Sequence, residues 1–169
     1  MRSTIIGTSV SRIEGPEKVA GGTRFAADVI LPGMLWGRIL RSPHPHARVR
    51  SIDASAAWRV PGVQAVVTGQ DNPGLYMGKV LRDLPVLCWD RVRYIGDRVA
   101  AVAAETPEAA EEALLHIDVD YEVLPAVYDP MEAMRPDAPL LHDDVAAYEG
   151  APLHLLATDV HNGQTRLAW

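Results

Sequence analysis

The chain has 169 residues, of which 48% are hydrophobic and 22% are charged, a composition typical of one folded globular domain. Its net charge of −6 argues against nucleic acid as the main partner, and no apolar run has the length of a membrane-spanning helix. The single cysteine, Cys88, excludes a disulfide framework and an iron–sulfur cluster held by this chain's own thiolates. One cysteine also fits a reducing, cytoplasmic setting.

The charges are unevenly distributed along the chain. Residues 1–59 carry nine Lys or Arg against four Asp or Glu, whereas residues 60–169 carry seven against eighteen. We expect the two parts to interleave in one domain, so that the early arginines meet the later carboxylates.

The first two thirds of the sequence predict an irregular beginning followed by short strands. Residues 1–27 lack periodicity, and Gly15-Pro16 and Gly21-Gly22 predict turns in an extended arm. A further turn is predicted at Leu31-Pro32-Gly33. Strands are predicted at residues 34–40, 47–52, 63–68, 92–94 and 99–104, and a short helix at 53–58.

One helix has clear start signals. Thr106 is a good N-cap, Pro107 suits the first helical position, and apolar residues then follow at helical spacing. Alternation of apolar and acidic residues over 117–123 predicts a strand with one solvated face, and 130–134 predicts about one helical turn. Together these elements predict an α+β fold, a mixed sheet with one main crossover helix and a short second helix.

Few residues form patterns that carry chemistry. The segment Gly74–Lys79 is one residue short of a phosphate loop and is followed by Val80 instead of Ser or Thr, so we expect no nucleotide site. His44 and His46 could ligate a metal, but no third ligand is suggested nearby, and the intervening prolines favour a shaped turn. Cys88 lies between apolar residues and is expected to be a buried, inert thiol. The acidic pairs Glu111-Glu112 and Asp143-Asp144 are interpreted as solvated.

Several stretches in register carry a resemblance to a known family: Ser11–Val19, Phe25–Asp28, Leu31–Leu35, Arg41–Arg48, Pro61–Val63, Val92–Gly96, Val99–Glu105 and Val119–Val127. Together they resemble the α/β hammerhead domain at the N-terminus of the large subunit of molybdenum hydroxylases, the xanthine dehydrogenase/aldehyde oxidase family, which includes carbon monoxide dehydrogenase. The resemblance runs from about Ser11 to His142. It departs from the family pattern at Arg98, where relatives often have proline.

The resemblance implies a division of labour within a larger oxidoreductase. The hammerhead domain would bind no cofactor or metal and carry no catalytic residue. Molybdopterin would bind in the region that follows it, and electrons would leave through [2Fe-2S] clusters to FAD on other domains or subunits. These parts would be its partners, with no nucleic acid or membrane, and the isolated chain would be inactive.

By the same resemblance we expect an arm at residues 1–24, the hammerhead domain at 25–142, and an irregular tail at 143–169 that leads toward a missing molybdopterin-binding region. The chain would then be a separated domain, a split gene product or a truncated large subunit. In relatives a long hammerhead loop approaches the mouth of the substrate funnel. Leu81 and Arg82 occupy that place by register, and the alternative is an ordinary mobile loop.

Two hypotheses follow for the function of the chain. The first is a non-catalytic domain that packs on the cofactor domain and shapes the substrate funnel, and the second is a stand-alone binding or scaffold module. The first predicts an exposed apolar patch at the docking surface. Its expected contributors are the four tryptophans: Trp36, Trp58, Trp89 and Trp169.

Overall fold

The structure, a computed structural model, describes residues 7, 9–78 and 82–142, and the backbone of residues 160, 161, 164 and 165. The chain divides into two compact units at the junction between Met34 and Leu35. None of the helices in the described ranges has the length and hydropathy needed to cross a lipid bilayer.

The first unit contains a short helix where the sequence predicts an extended arm, so that prediction is wrong over α1, Gly15–Val19. Pro16 lies in the first turn of the helix, where its fixed φ favours the helical conformation. Proline lacks an N–H, but an N–H at this position would have no hydrogen-bond partner within the helix. Gly21, with φ of 72°, ends the helix in the left-handed conformation that glycine adopts readily. The turn predicted near Pro32 is confirmed, since the Met34 N–H donates to the Leu31 carbonyl at 3.1 Å.

Within the described ranges, the second unit contains ten short strands and two helices. The strands are β1 Trp36–Arg41, β2 Ala47–Asp53, β3 Val63–Thr68, β4 Tyr76–Met77, β5 Leu84–Pro85, β6 Arg91–Val92, β7 Arg98–Ala104, β8 Asp118–Val123, β9 Val160–His161 and β10 Gln164–Thr165. The helices are α2 Pro107–Leu115 and α3 Pro130–Ala133, and short 3-10 helices occur at Ala57–Arg59 and Gly69–Asp71.

The strands form two three-stranded sheets, in the orders β1-β7-β3 and β6-β2-β8, and two small ladders, β4-β5 and β9-β10. Every strand pair among the residues that the structure describes is antiparallel. The α+β class is therefore confirmed, and the sheet expected from the sequence takes the form of two antiparallel sheets with α2 between β7 and β8 in the chain.

Helix α2 begins where the sequence predicts. The Thr106 hydroxyl oxygen accepts a hydrogen bond from the Ala109 N–H at 3.1 Å, which satisfies one of the free donors of the first turn. The buried side of α2, Ala110 and Ala113, packs on the sheet β1-β7-β3. The other members of this core cluster are Ala57, Val60, Ala100, Val102, Ala104 and Ile117.

A second core cluster joins residues of the sheet β6-β2-β8 to Cys88 of the preceding loop and to Val99 of β7; its members are Ala47, Val49, Cys88, Val92 and Val99. Val119 and Tyr121 of β8 pack against this cluster, while Asp118 and Asp120 are exposed, which confirms the predicted alternation. The alternation breaks at the end of the strand, where Glu122 is partly buried and Val123 is exposed.

Two ion pairs join the early arginines to later carboxylates, as the charge distribution predicts. Arg38 Nε lies 3.0 Å from Glu111 of α2, and Arg50 lies 3.4 Å from Glu122 of β8. The helix predicted at 53–58 is wrong: the segment forms a turn that leads into the 3-10 helix Ala57–Arg59, because the Asp53 carboxylate accepts the Ser55 N–H at 2.9 Å and so favours a turn.

Candidate functional site

The long loop, for which the sequence leaves open a funnel-lining role or an ordinary mobile loop, leaves β3 through a tightly bonded turn. Asp71 Oδ2 accepts hydrogen bonds from the Thr68 N–H at 2.6 Å and from the Thr68 hydroxyl at 2.8 Å. These two bonds, the backbone one first, hold the pKa of Asp71 below its usual value. The neighbouring Gly69 is buried so close to the Cys88 carbonyl that a Cβ there would collide with it. The beginning of the loop is therefore fixed against the strand region that follows the loop.

The loop itself forms a small hairpin. In the ladder of β4 and β5, Tyr76 pairs with Pro85 and Met77 pairs with Leu84, and the Val86 N–H donates to the Leu75 carbonyl at 2.9 Å. Residues 78–83 connect the two strands. Arg82, one of the two residues predicted to line the funnel, lies exposed on this connection, and Leu81 lies outside the described residues.

Side chains from outside the hairpin brace its base. The Tyr76 ring meets the half-buried Trp89 ring edge to face, with 5.1 Å between the ring centroids. The Arg98 guanidinium lies 3.4 Å from both the Pro85 carbonyl oxygen and Met77 Sδ. These contacts position the two short strands, which are too short to be stable alone.

A buried carboxylate organises the backbone beneath the hairpin. Asp97 is 1% exposed, and its two oxygens accept the N–H groups of Arg93 at 3.1 Å and Arg98 at 3.0 Å. A proline at position 98 would have no N–H to donate to Asp97. The arginine that departs from the family pattern therefore adds one hydrogen bond to the buried carboxylate. The Cys88 N–H donates to the Arg98 carbonyl at 2.7 Å, which joins the residues after the hairpin to β7.

The Cys88 thiol is fully buried, as the sequence predicts. Burial first and the nearby Asp97 carboxylate second raise its pKa far above the usual value, so the thiol stays protonated at neutral pH. This confirms the interpretation of Cys88 as an inert core residue.

The two histidines with possible metal-ligand spacing have structural contacts. His46 is buried, and its Nδ1 lies 2.7 Å from the Pro125 carbonyl oxygen at the end of β8. The His44 ring packs edge to face on Tyr121, with 5.0 Å between the ring centroids, and the backbone N–H of His44 donates to Ser42 Oγ at 3.0 Å. The predicted shaped turn is confirmed by these contacts.

The remaining candidates do not converge on one place. Gly74 leads into the two-residue β4 instead of a helix N-terminus, and Lys79 lies outside the described residues. Glu111 and Glu112 are exposed, as predicted, and Asp143 and Asp144 fall outside the described ranges. Across the part of the chain that the structure describes, no three His, Cys, Asp or Glu residues come together as metal ligands.

The tryptophans contribute less to an exposed apolar surface than the sequence suggests. Trp36 and Trp58 are about half exposed, Trp89 belongs to the hairpin base, and Trp169 lies outside the described residues. A further apolar surface is a face of the sheet β1-β7-β3. Its signal in the sequence is the uninterrupted apolar run of β7, Val99–Ala104, which resembles a strand buried on both faces.

The fold and the sequence matches together define the class of this domain. Residues 20–125 match the family described as "Aldehyde oxidase and xanthine dehydrogenase, a/b hammerhead domain". Over 134 residues the chain is 51% identical to a probable xanthine dehydrogenase subunit of Bacillus subtilis, a match that covers 79% of this chain and 18% of that protein. Over 144 residues it is 42% identical to the carbon monoxide dehydrogenase large chain of Afipia carboxidovorans, covering 83% of this chain and 18% of that one.

Solved structures agree with these matches. The crystal structure of the Cu,Mo-CO dehydrogenase in its carbon monoxide reduced state superposes with a TM-score of 0.73 at 42% identity, covering 82% of this chain and 18% of that chain. This chain belongs to the aldehyde oxidase and xanthine dehydrogenase family, as a hammerhead domain of the molybdenum hydroxylase large subunit. It spans 18% of the length of the two curated relatives described above.

Proposed function

We propose that this chain is a non-catalytic part of a molybdenum hydroxylase large subunit, which packs on a molybdopterin-binding remainder and shapes the entrance to its substrate site. In the complete enzyme, molybdopterin would perform the hydroxylation, and [2Fe-2S] clusters and FAD on other domains or subunits would carry the electrons away. The family membership supports this proposal, as does the 18% of the relatives' length that the chain spans. The isolated chain would be inactive.

The residues of this chain do not fit a [2Fe-2S] cluster of such an enzyme. A [2Fe-2S] cluster of the common type needs four cysteine thiolates, and the sequence has one cysteine. That cysteine, Cys88, is buried and its pKa is raised, so it does not supply a thiolate ligand. No catalytic step is therefore assigned to this chain, and its contribution would be structural and steric.

The braced hairpin β4-β5 carries the proposal that the chain shapes the substrate entrance. The contacts of Tyr76 with Trp89 and of Arg98 with Pro85 fix the base of the hairpin, from which the connection that contains Arg82 extends. A fixed loop on a rigid scaffold is a common way to present specificity residues. Leu81 would supply an apolar wall of the funnel, and Arg82 a positively charged one.

The test is a change in substrate preference. This chain, reconstituted with the molybdopterin-binding polypeptide, should show a ratio of kcat/KM for a small and a bulky substrate that shifts about tenfold on Leu81→Ala, because a pocket responds to one or more missing methylenes by this amount. Arg82→Ala should shift the ratio between neutral and anionic substrates.

The matched control is Leu115→Ala, which removes the same atoms from an exposed position at the end of α2. It should leave both ratios unchanged. If Leu81→Ala and Arg82→Ala behave like this control in an active complex, the loop does not line the funnel.

A further inference from the structure

One face of the sheet β1-β7-β3 carries an apolar area that remains partly exposed within the second unit, although Val99 at one end of β7 is buried in the second core cluster. Helix α2 packs on the other face, where it meets Val102 and where Arg38 reaches Glu111. The strand register places two rows of side chains on the face away from α2: Ile39–Ala101–Val67 and Gly37–Ala103–Ala65. We call these six residues the open face.

The open face is not the solvated side of an ordinary antiparallel sheet. Such a face normally carries polar residues, because one side of the sheet packs on the core and the other contacts water. Here every one of the six positions is apolar, with Ile39 41% exposed and Val67 38% exposed. Neither row contains a charged residue, and Arg38 is the one charged residue that also lines this surface, so we expect a partner that covers the open face to be mainly apolar.

The shape of the open face also constrains its partner. Ala101 and Ala103 of the central strand form the floor, and the larger Ile39 and Val67 stand on either side of Ala101. The result is a shallow depression of about 350 Å³. Small floor residues let another segment approach the sheet closely. A ridge of apolar side chains on a helix or loop would fill such a depression.

We propose that the open face is the surface on which this chain docks against the molybdopterin-binding remainder of its large subunit, through an apolar ridge of that remainder. This inference rests on the proposed function. It adds which side of the domain contacts the remainder. It requires no contribution from the hairpin β4-β5.

The length of the relatives and the shape of the open face both favour the molybdopterin-binding remainder as the occupant. In both curated relatives described above, the matched stretch makes up 18% of a longer chain, so most of each protein lies outside it and could supply a ridge. A second copy of this chain fits less well, because a two-fold contact would place one depression against another and leave the alanine floors apart.

The test introduces one charge on the open face and the same charge elsewhere. Val67→Glu changes an exposed valine of the edge strand β3, and the matched control Val123→Glu changes an exposed valine of the edge strand β8 in the other sheet. Each tagged chain is co-expressed with the molybdopterin-binding polypeptide, and the affinity of the purified pair is measured by titration. Val67→Glu should weaken binding at least about tenfold, since it buries an unpaired charge at the interface, and Val123→Glu should leave it unchanged.

The possible results separate the two proposals. If the wild-type chain does not bind the polypeptide, the proposed function fails and the docking surface fails with it. If the wild-type chain binds and Val67→Glu binds equally well, the open face is not the docking surface while the proposed function stands. A wild-type dimer that Val67→Glu abolishes would identify a second copy as the occupant and overturn the proposal.

A folding control accompanies the affinity measurement. Thermal unfolding should give similar Tm values for the wild-type chain and Val67→Glu, because this valine is partly exposed in the free chain. If Val67→Glu does not fold, Ile39→Gln probes the other wall of the same depression without a charge. Binding by a folded Ile39→Gln chain at wild-type affinity would then count against the open face.

Discussion

Gly69 is the position where the packing of the loop can be tested most sharply. A Cβ placed there would collide with the Cys88 carbonyl and lie 2.8 Å from the Trp89 nitrogen, well inside ordinary van der Waals separation. Both obstacles are backbone atoms, so no side-chain rotation relieves the contact. Gly69→Ala should therefore destabilise the chain by about 1–3 kcal/mol, the usual cost of overpacking a well-packed site.

The comparison variant is Gly37→Ala on β1. A Cβ at Gly37 meets nothing within 4 Å, and alanine in a strand is favoured over glycine by about 0.5–1 kcal/mol. The two alanine substitutions should thus change the free energy of unfolding in opposite directions. Urea titration followed by circular dichroism measures both, and thermal unfolding should show a fall of about 2–4 °C for each kcal/mol lost. If Gly69→Ala matched Gly37→Ala, the close approach of the loop to Cys88 would be refuted.

Three further predictions concern single side chains. Thr106→Ala should lower the free energy of unfolding by about 1 kcal/mol, because it removes the N-cap acceptor of α2, and Thr106→Ser should restore most of it in the same urea titration. The pKa of Asp71 is lower in the folded chain than its unfolded value of about 3.9, because the carboxylate accepts bonds from Thr68. These bonds therefore stabilise the fold fully above about pH 3.9, and the stabilisation is lost as the pH falls through the folded-state pKa. The stability difference between the wild-type chain and Asp71→Ala should accordingly stay constant above about pH 5 and shrink as the pH falls below about 3.9; a difference that stays constant throughout would contradict the bonding. Cys88 should resist iodoacetamide at pH 8 in the folded chain and react once the chain is unfolded in denaturant, as read by mass spectrometry; rapid labelling of the folded chain would contradict its burial.

Local signals explain which elements the sequence predicts well. Thr106 and Pro107 define the start of α2, because a side-chain acceptor and a fixed φ act within one turn of the chain. The alternation of Val119 and Tyr121 with acidic residues likewise identifies β8. Helix α1 was missed because its five residues are too few to show an apolar period, and it buries no residue that would create one.

Long-range contacts explain what the sequence did not show. The bonds of the Asp97 carboxylate and the contact of Gly69 with Cys88 depend on how the loop returns to the sheet, which no local pattern encodes. The division of the strands into two sheets depends on pairing between distant segments, such as β1 with β7. The apolar run of β7 was recognised as a buried strand, but only the structure reveals that Ala101 and Ala103 lie on the open face.

The central claim is that the reactive cofactor belongs to a partner of this chain. The most direct test is molybdenum and pterin analysis of the purified 169-residue chain, alone and after co-purification with the molybdopterin-binding polypeptide. We expect stoichiometric molybdenum in the complex and none in the chain alone. Molybdopterin bound tightly to the isolated chain, or substrate oxidation by it, would show that the reactive cofactor belongs to this chain itself.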